Sequence, residues 1–134
     1  MEIILAENHG FCYGVKRAVE MANEAANSDG KSYTLGPIIH NPQVVGRLED
    51  KGVSPVQEVS DIAEGTMIIR SHGVGPAIYE EAEEKGLHVV DATCPHVKKA
   101  QQDAKSVIDD GMTLVILGEK NHPEVKSINL WANN

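Results

Sequence analysis

Met67-Ile68-Ile69-Arg70-Ser71-His72-Gly73 passes from an apolar, β-branched run straight into a polar loop. Pro76 to Lys85, closed by Gly86, follows with the spacing of a helix. His88-Val89-Val90-Asp91 returns to strand character, and Pro95 to Asp110, closed by Gly111, is helical again. A strand that leads through a helix to another strand is a crossover unit, and such units make parallel sheets. The alternation extends in both directions. Upstream, Ile3-Ile4-Leu5-Ala6 reads as a strand, and Tyr13 to Asn27 reads as a helix with Val15, Val19 and Ala22 at helical spacing and Asp29-Gly30 as its stop. Tyr33-Thr34-Leu35 is a further strand, and Asn41-Pro42 opens a helix, since Asn caps well and Pro suits the first turn. Downstream, Met112 to Leu117 reads as the last strand and Pro123 opens the last helix, while Asn133-Asn134 carries no stop signal. The expected architecture is α/β, a parallel sheet flanked by helices, with ligand-binding loops at the carboxyl ends of the strands.

A chain of 134 residues with 41% apolar content can bury a core, and with 4% aromatics that core rests on Ile, Val, Leu and Ala. The net charge of −8, from 20 acidic and 12 basic residues, repels nucleic acid and anionic membrane over most of the surface. Neither is an expected partner, and an anion site has to be local. No apolar run reaches the length of a membrane span, so a cytoplasmic setting is expected. Two cysteines do not make a secreted disulfide framework and point instead to metal, redox or core roles.

The chain also matches itself. Cys12-Tyr13-Gly14-Val15-Lys16-Arg17-Ala18 resembles Cys94-Pro95-His96-Val97-Lys98-Lys99-Ala100 at an offset of 82 residues, and the same offset pairs Leu35-Gly36 with Leu117-Gly118. After a single-residue gap, Pro42-Gln43-Val44 pairs with Pro123-Glu124-Val125. Several matches in order at nearly constant spacing indicate two copies of one unit. The expected division is a complete first lobe, residues 1–94, and the start of a second, residues 95–134, which is cut short.

Cys12 and Cys94 both open helices, where unpaired N–H groups and the positive dipole end favour the thiolate that binds metal. The bland reading is that each is a small buried hydrophobe. Their shared place in the repeat favours metal, without choosing between zinc and an iron–sulfur cluster. His40, His72 and His122 all stand at strand-to-helix junctions. One such histidine caps a turn; three on equivalent loops suit a phosphate or diphosphate. Glu124, in the first turn after His122-Pro123, either complements the helix dipole or donates a proton into the same pocket. Arg70 either steers an anion or pairs with an acid. His9, His88 and His96 lack the pattern, and Glu58, Glu80, Glu81, Glu83 and Glu84 read as solvated charges on helical faces.

Gly10-Phe11-Cys12-Tyr13-Gly14-Val15-Lys16-Arg17-Ala18, Gly36-Pro37-Ile38-Ile39-His40-Asn41-Pro42, Arg70-Ser71-His72-Gly73, Asp91-Ala92-Thr93-Cys94-Pro95 and Asn121-His122-Pro123-Glu124-Val125 together resemble the hydroxymethylbutenyl diphosphate reductases, in the family's order and nearly end to end. The resemblance implies a three-lobed α/β enzyme of the non-mevalonate isoprenoid pathway, with a [4Fe-4S] cluster at its centre and one cysteine from each lobe. It makes Cys12 and Cys94 cluster ligands, places His40, His72 and His122 around the substrate diphosphate, and gives Glu124 a part in proton delivery. It also implies an external electron donor such as ferredoxin or flavodoxin, and isopentenyl and dimethylallyl diphosphate as products. The third cysteine and the last lobe of that pattern are absent from the sequence. The expectation is therefore an N-terminal fragment, inactive alone and prone to self-association. The competing expectation is a non-catalytic α/β module that binds a metal or a phosphate ligand.

Overall fold

Four short runs pair in parallel at the centre of the computed structural model, which describes residues 1–7, 9–28 and 30–132. They are β1 (Ser32–Leu35), β2 (Val53–Val56), β3 (Thr66–Ile69) and β4 (His88–Asp91), in the order β2-β1-β3-β4. Ser32 stands opposite Thr66 and Thr66 opposite His88, so Leu35, Ile69 and Asp91 end the three adjacent strands at one level. The helices are α1 (Tyr13–Ala26), α2 (Pro42–Glu49), α3 (Pro76–Glu84), α4 (Pro95–Asp109) and α5 (Pro123–Ala132).

The side chains of β3 explain why the sheet is covered on both faces. Met67, Ile68 and Ile69 are all fully buried, although successive strand residues point to opposite sides. Ile68 joins Ala18, Ala22, Ile38, Leu48 and Val53, beneath α1 and α2. Met67 and Ile69 join Leu35, Val59, Ile62, Val74 and Ala82, beneath α3. The inward face of α1 carries alanines, which let the helix lie close to the sheet. β2 has no counterpart in the sequence reading. Its Pro55 cannot donate to a ladder and is tolerated because β2 is an edge strand.

Two expected strands are not strands. Ile3-Ile4-Leu5-Ala6 and Met112 to Leu117 lie outside the sheet, with Ile3 at 76%, Ile4 at 82% and Leu117 at 94% exposure. A strand exists through the ladder it makes with a neighbour, and no described strand lies beside either segment. Glu58 is not on a helical face. Its N–H donates to Asp61 Oδ2 at 3.2 Å, holding the single 3-10 turn Val59–Asp61. The expected stop at Asp29 and the closing Asn133-Asn134 fall outside the described residues.

α5 packs on α4 and docks against the loop between β3 and α3. The Trp131 indole N–H donates to the Val74 carbonyl at 2.8 Å, and its ring meets Tyr79 edge-on at 6.2 Å. Gly75 is required there, because a Cβ would stand 2.8 Å from Leu130 Cβ. No described helix is long and apolar enough to cross a membrane.

Ile68→Ala should lower unfolding stability by about 3 kcal/mol. Leu117→Ser should change it by no more than about 0.5 kcal/mol, because the side chain is already in water. Urea denaturation followed by circular dichroism checks both, and a large loss at Leu117 would contradict this packing.

Candidate functional site

The loops at the carboxyl ends of the strands are tied to one another by main-chain hydrogen bonds that continue the sheet. Ala92 N–H donates to Ile69 O at 3.1 Å, and Cys94 N–H donates to Ser71 O at 2.9 Å. The Ser71 N–H and hydroxyl both donate to Ile38 O, each at 3.3 Å. Asp91 fixes the bend between β4 and Cys94. Its Oδ1 accepts from Thr93 N–H at 3.0 Å, and its Oδ2 accepts from Tyr79 at 3.1 Å and from Lys98 Nζ at 2.6 Å. Burial alone would raise the Asp91 carboxyl, but the bonds from Lys98 and Thr93 outweigh it and hold the group below its ordinary value. Tyr79 is pushed up to about 12, first by burial and then by the charge of Asp91.

The two cysteines stand where the sequence put them, at helix starts. Cys12 is the N-cap of α1 and Cys94 the N-cap of α4, and neither side chain caps its helix. Both thiols are free, Cys12 exposed and Cys94 partly buried. Gly14 brings the two starts together, since a Cβ on it would collide with Cys94 Sγ. Arg17 Nη1 donates to Thr93 O at 3.2 Å and ties α1 to the Cys94 loop. Two uncommitted sulfurs at neighbouring helix N-termini, with side-chain bulk removed between them, fit the thiolate donor set of an iron–sulfur cluster. The sequence holds no third cysteine.

The three histidines converge. Ring centroids lie 4.5 Å apart for His40 and His72, 5.5 Å for His72 and His122, and 6.0 Å for His40 and His122. One ring nitrogen from each lies within 4.8 Å of the others, the only such group of three among the described residues. Imidazoles this close disfavour one another's protonation. His72 is lowered to about 4, by burial first and then by His40, Arg70 and His122, and is therefore neutral at pH 7. Its Nδ1 is buried with no hydrogen-bond partner. In His122 the Nδ1 accepts the Glu124 N–H at 3.2 Å. That bond fixes the neutral tautomer and leaves the proton on Nε2, so His122 presents a donor. His122 thus caps its own turn, one of the two readings the sequence offered, while its ring stands beside His40 and His72.

α5 is held in this position by a buried polar network. Ser127 Oγ lies 2.7 Å from His72 O and 2.9 Å from Glu124 O, and accepts from Gln101 Nε2 at 3.2 Å. It spans α4, α5 and the His72 loop, and so brings Glu124 to the histidine side of the molecule. The Glu124 carboxylate forms no ion pair among the described residues. Arg70 likewise pairs with no described acid, which removes one of its two sequence readings. His9 bonds to Ala6 O at 2.7 Å, and His88 and His96 are exposed on β4 and α4; none joins the triad. Asp91, Gln101, Ser127 and Gly14 were not singled out from sequence. Only for Gly14 was there a signal, since the repeat sets it against His96.

A 4-hydroxy-3-methylbut-2-enyl diphosphate reductase of Geobacter sulfurreducens is 55% identical over 132 residues, covering 98% of this chain and 47% of the relative. One of Geotalea uraniireducens is 53% identical over 133 residues, covering 99% and 47%. A solved (E)-4-hydroxy-3-methyl-but-2-enyl diphosphate reductase, described as the terminal enzyme of the non-mevalonate pathway, is 51% identical with a TM-score of 0.84, covering 96% of this chain and 46% of its own. The corresponding reductase of Plasmodium falciparum is 32% identical with a TM-score of 0.90, covering 94% and 40%. The chain spans about half the length of the curated relatives it matches. The family model described as LytB protein matches residues 3–134, a stretch that holds both cysteine loops and all three histidine loops, and the chain belongs to that family.

Proposed function

We propose that this chain supplies the diphosphate-binding histidines and two of the cluster cysteines of a 4-hydroxy-3-methylbut-2-enyl diphosphate reductase. The reaction removes an allylic hydroxyl as water, with two electrons and two protons, and yields isopentenyl and dimethylallyl diphosphate. The observation that carries the reading is the bond from Glu124 N–H to His122 Nδ1, because it leaves the His122 Nε2–H beside the other two imidazoles as a donor. A metal ion would need that nitrogen pair rearranged, whereas a diphosphate oxygen accepts from Nε2–H as it stands.

His40 and His72 complete the grip. Bound anionic oxygens favour the imidazolium, so His72 takes up a proton as the diphosphate arrives. Glu124, two residues on from His122, is the group we assign to proton delivery to the departing hydroxyl, which is a poor leaving group unless protonated. Cys12 and Cys94 would hold an iron–sulfur cluster, whose part when bound is to supply electrons and a Lewis-acidic iron. An external donor such as ferredoxin or flavodoxin and a cytoplasmic setting belong to the same proposal. The repeat supports a lobe boundary at Cys94, with residues 1–94 and 95–134 on either side. The exposed apolar segments around Ile4 and Leu117 support self-association of the isolated chain.

Diphosphate binding is measured by calorimetry and by the histidine ring signals in NMR. A histidine that sits near 4 when free and rises on binding takes up a proton whenever the pH lies between its two values. Affinity for inorganic diphosphate should therefore rise as the pH falls from 8 to 5, and His122→Ala should weaken it about tenfold. Ring signals that ignore diphosphate but respond to zinc would replace this proposal with a metal-binding module.

Anaerobic reconstitution with iron and sulfide tests the cysteines. Iron and sulfide should be retained by the chain and lost from the Cys12→Ala, Cys94→Ala double variant, while turnover by the isolated chain should be absent. Equal retention by the double variant would remove both cysteines from the site.

A further inference from the structure

Arg70 and His72 flank Ser71 in one loop, yet they serve different spaces. None of the triad histidines lines the cleft of about 270 Å³ that Arg70 borders with Gly36, Gln57, Gly75 and Lys126. The chain carries 20 acidic residues, and none of the described ones lines this cleft. Two cations with no counterion among the described residues, in one concavity, are a local inversion of the charge of the whole chain.

The Arg70 guanidinium is built in. Its Nε is buried with no hydrogen-bond partner, and it forms no ion pair among the described residues. Gly36, with φ +71°, makes the room, since a Cβ there would stand 2.6 Å from Arg70 Nη1. Burial lowers the guanidinium from its ordinary value, but an arginine stays charged at neutral pH. A half-buried charge without a partner is costly, and an anion in the cleft would offset that cost. The planar guanidinium offers two parallel donors to an oxyanion, and Lys126 of α5 adds a point charge from the cleft's opposite element. We infer that the Arg70–Lys126 cleft is a second oxyanion site, one that takes a phosphate group in a space apart from the histidine triad.

The test is a titration of the whole chain with inorganic phosphate, followed by amide and histidine ring signals in NMR. The Gly36 and Gly75 amides should shift along their own saturation curve, distinct from that of the His40 and His122 rings. Arg70→Gln should weaken the amide curve about tenfold and leave the ring curve in place. Lys126→Gln, at an exposed position that does not endanger folding, should weaken it in the same sense. A parallel titration with glycerol 3-phosphate separates the sources: tighter binding assigns the cleft to a phosphate ester, equal or weaker binding to free phosphate. Amides that do not move, or that move identically in wild type and both variants, overturn the inference. So does a single shared curve for amides and rings that His122→Ala abolishes together. A cleft response that survives without any ring response upholds this site even where the histidine reading fails.

Discussion

The hydrogen bonds that run from Cys94 N–H to Ser71 O and from Ser71 to Ile38 O decide where Cys94, His72 and His40 can stand. They extend the parallel ladder past the ends of β1, β3 and β4, so three loops keep the alignment of the strands beneath them. Cys94 is the donor of the first bond. His72 is next to the acceptor of that bond, and His40 lies two residues beyond Ile38. The sheet therefore sets the spacing of a thiol and two imidazoles before any side chain makes a contact. Loops held in this way lose little further conformational freedom when a ligand arrives, which is the physical advantage of building a site on strand ends.

The fourth loop reaches the site by other means. His122 immediately precedes α5 and Glu124 lies in its first turn; no described strand lies beneath this helix, and their place depends on Ser127 and Gln101, only 1% and 2% exposed. One serine proton serves two nearby carbonyls, and the shorter distance, to His72 O, marks the bond across elements as the stronger. Buried networks of this kind hold one arrangement strongly when satisfied and fail sharply when a member is lost. Trp131 and the close approach of Leu130 to Gly75 fasten the far end of the same helix. The triad is therefore rigid on two sides for different reasons: main-chain ladder for His40 and His72, side-chain network for His122.

The sequence made legible whatever local pattern controls. Helix starts at Asn41, Pro76, Cys94 and Pro123 follow from capping and proline chemistry, the helix after Cys12 follows from apolar spacing, and the buried runs of β1, β3 and β4 follow from their composition. What failed was whatever depends on a neighbour. Ile3-Ile4-Leu5 and Met112 to Leu117 have the composition of strands, but they have no described partner, while Val53-Ser54-Pro55-Val56 has poor composition and is a strand because β1 lies beside it. The site divides in the same way. Strand-to-helix junctions picked out the three histidines, whereas Asp91, Gln101 and Ser127 act through residues distant in sequence, and no spacing announces them. Arg70 was undecided between an acid partner and an anion because the sequence cannot show which acids come near, and none of the described ones does.

Charge explains why imidazoles, and not lysines or arginines, meet at the strand ends. Three permanent cations within a few ångströms would repel one another strongly in the absence of a ligand, and the loops that carry them would have to absorb that energy. Imidazoles avoid it by remaining neutral, as burial and crowding keep His72 when no anion is present. An arriving anion would reverse the balance, since the negative charge that relieves the crowding also favours the proton. His72 is uncharged when no anion is present, and under the proposed diphosphate binding its proton uptake would be tied to occupancy by the same closeness that would make fixed charges unstable there. Arg70 cannot make that adjustment. Its charge is permanent, so the cleft beside it keeps its demand for an anion whether or not the triad is occupied.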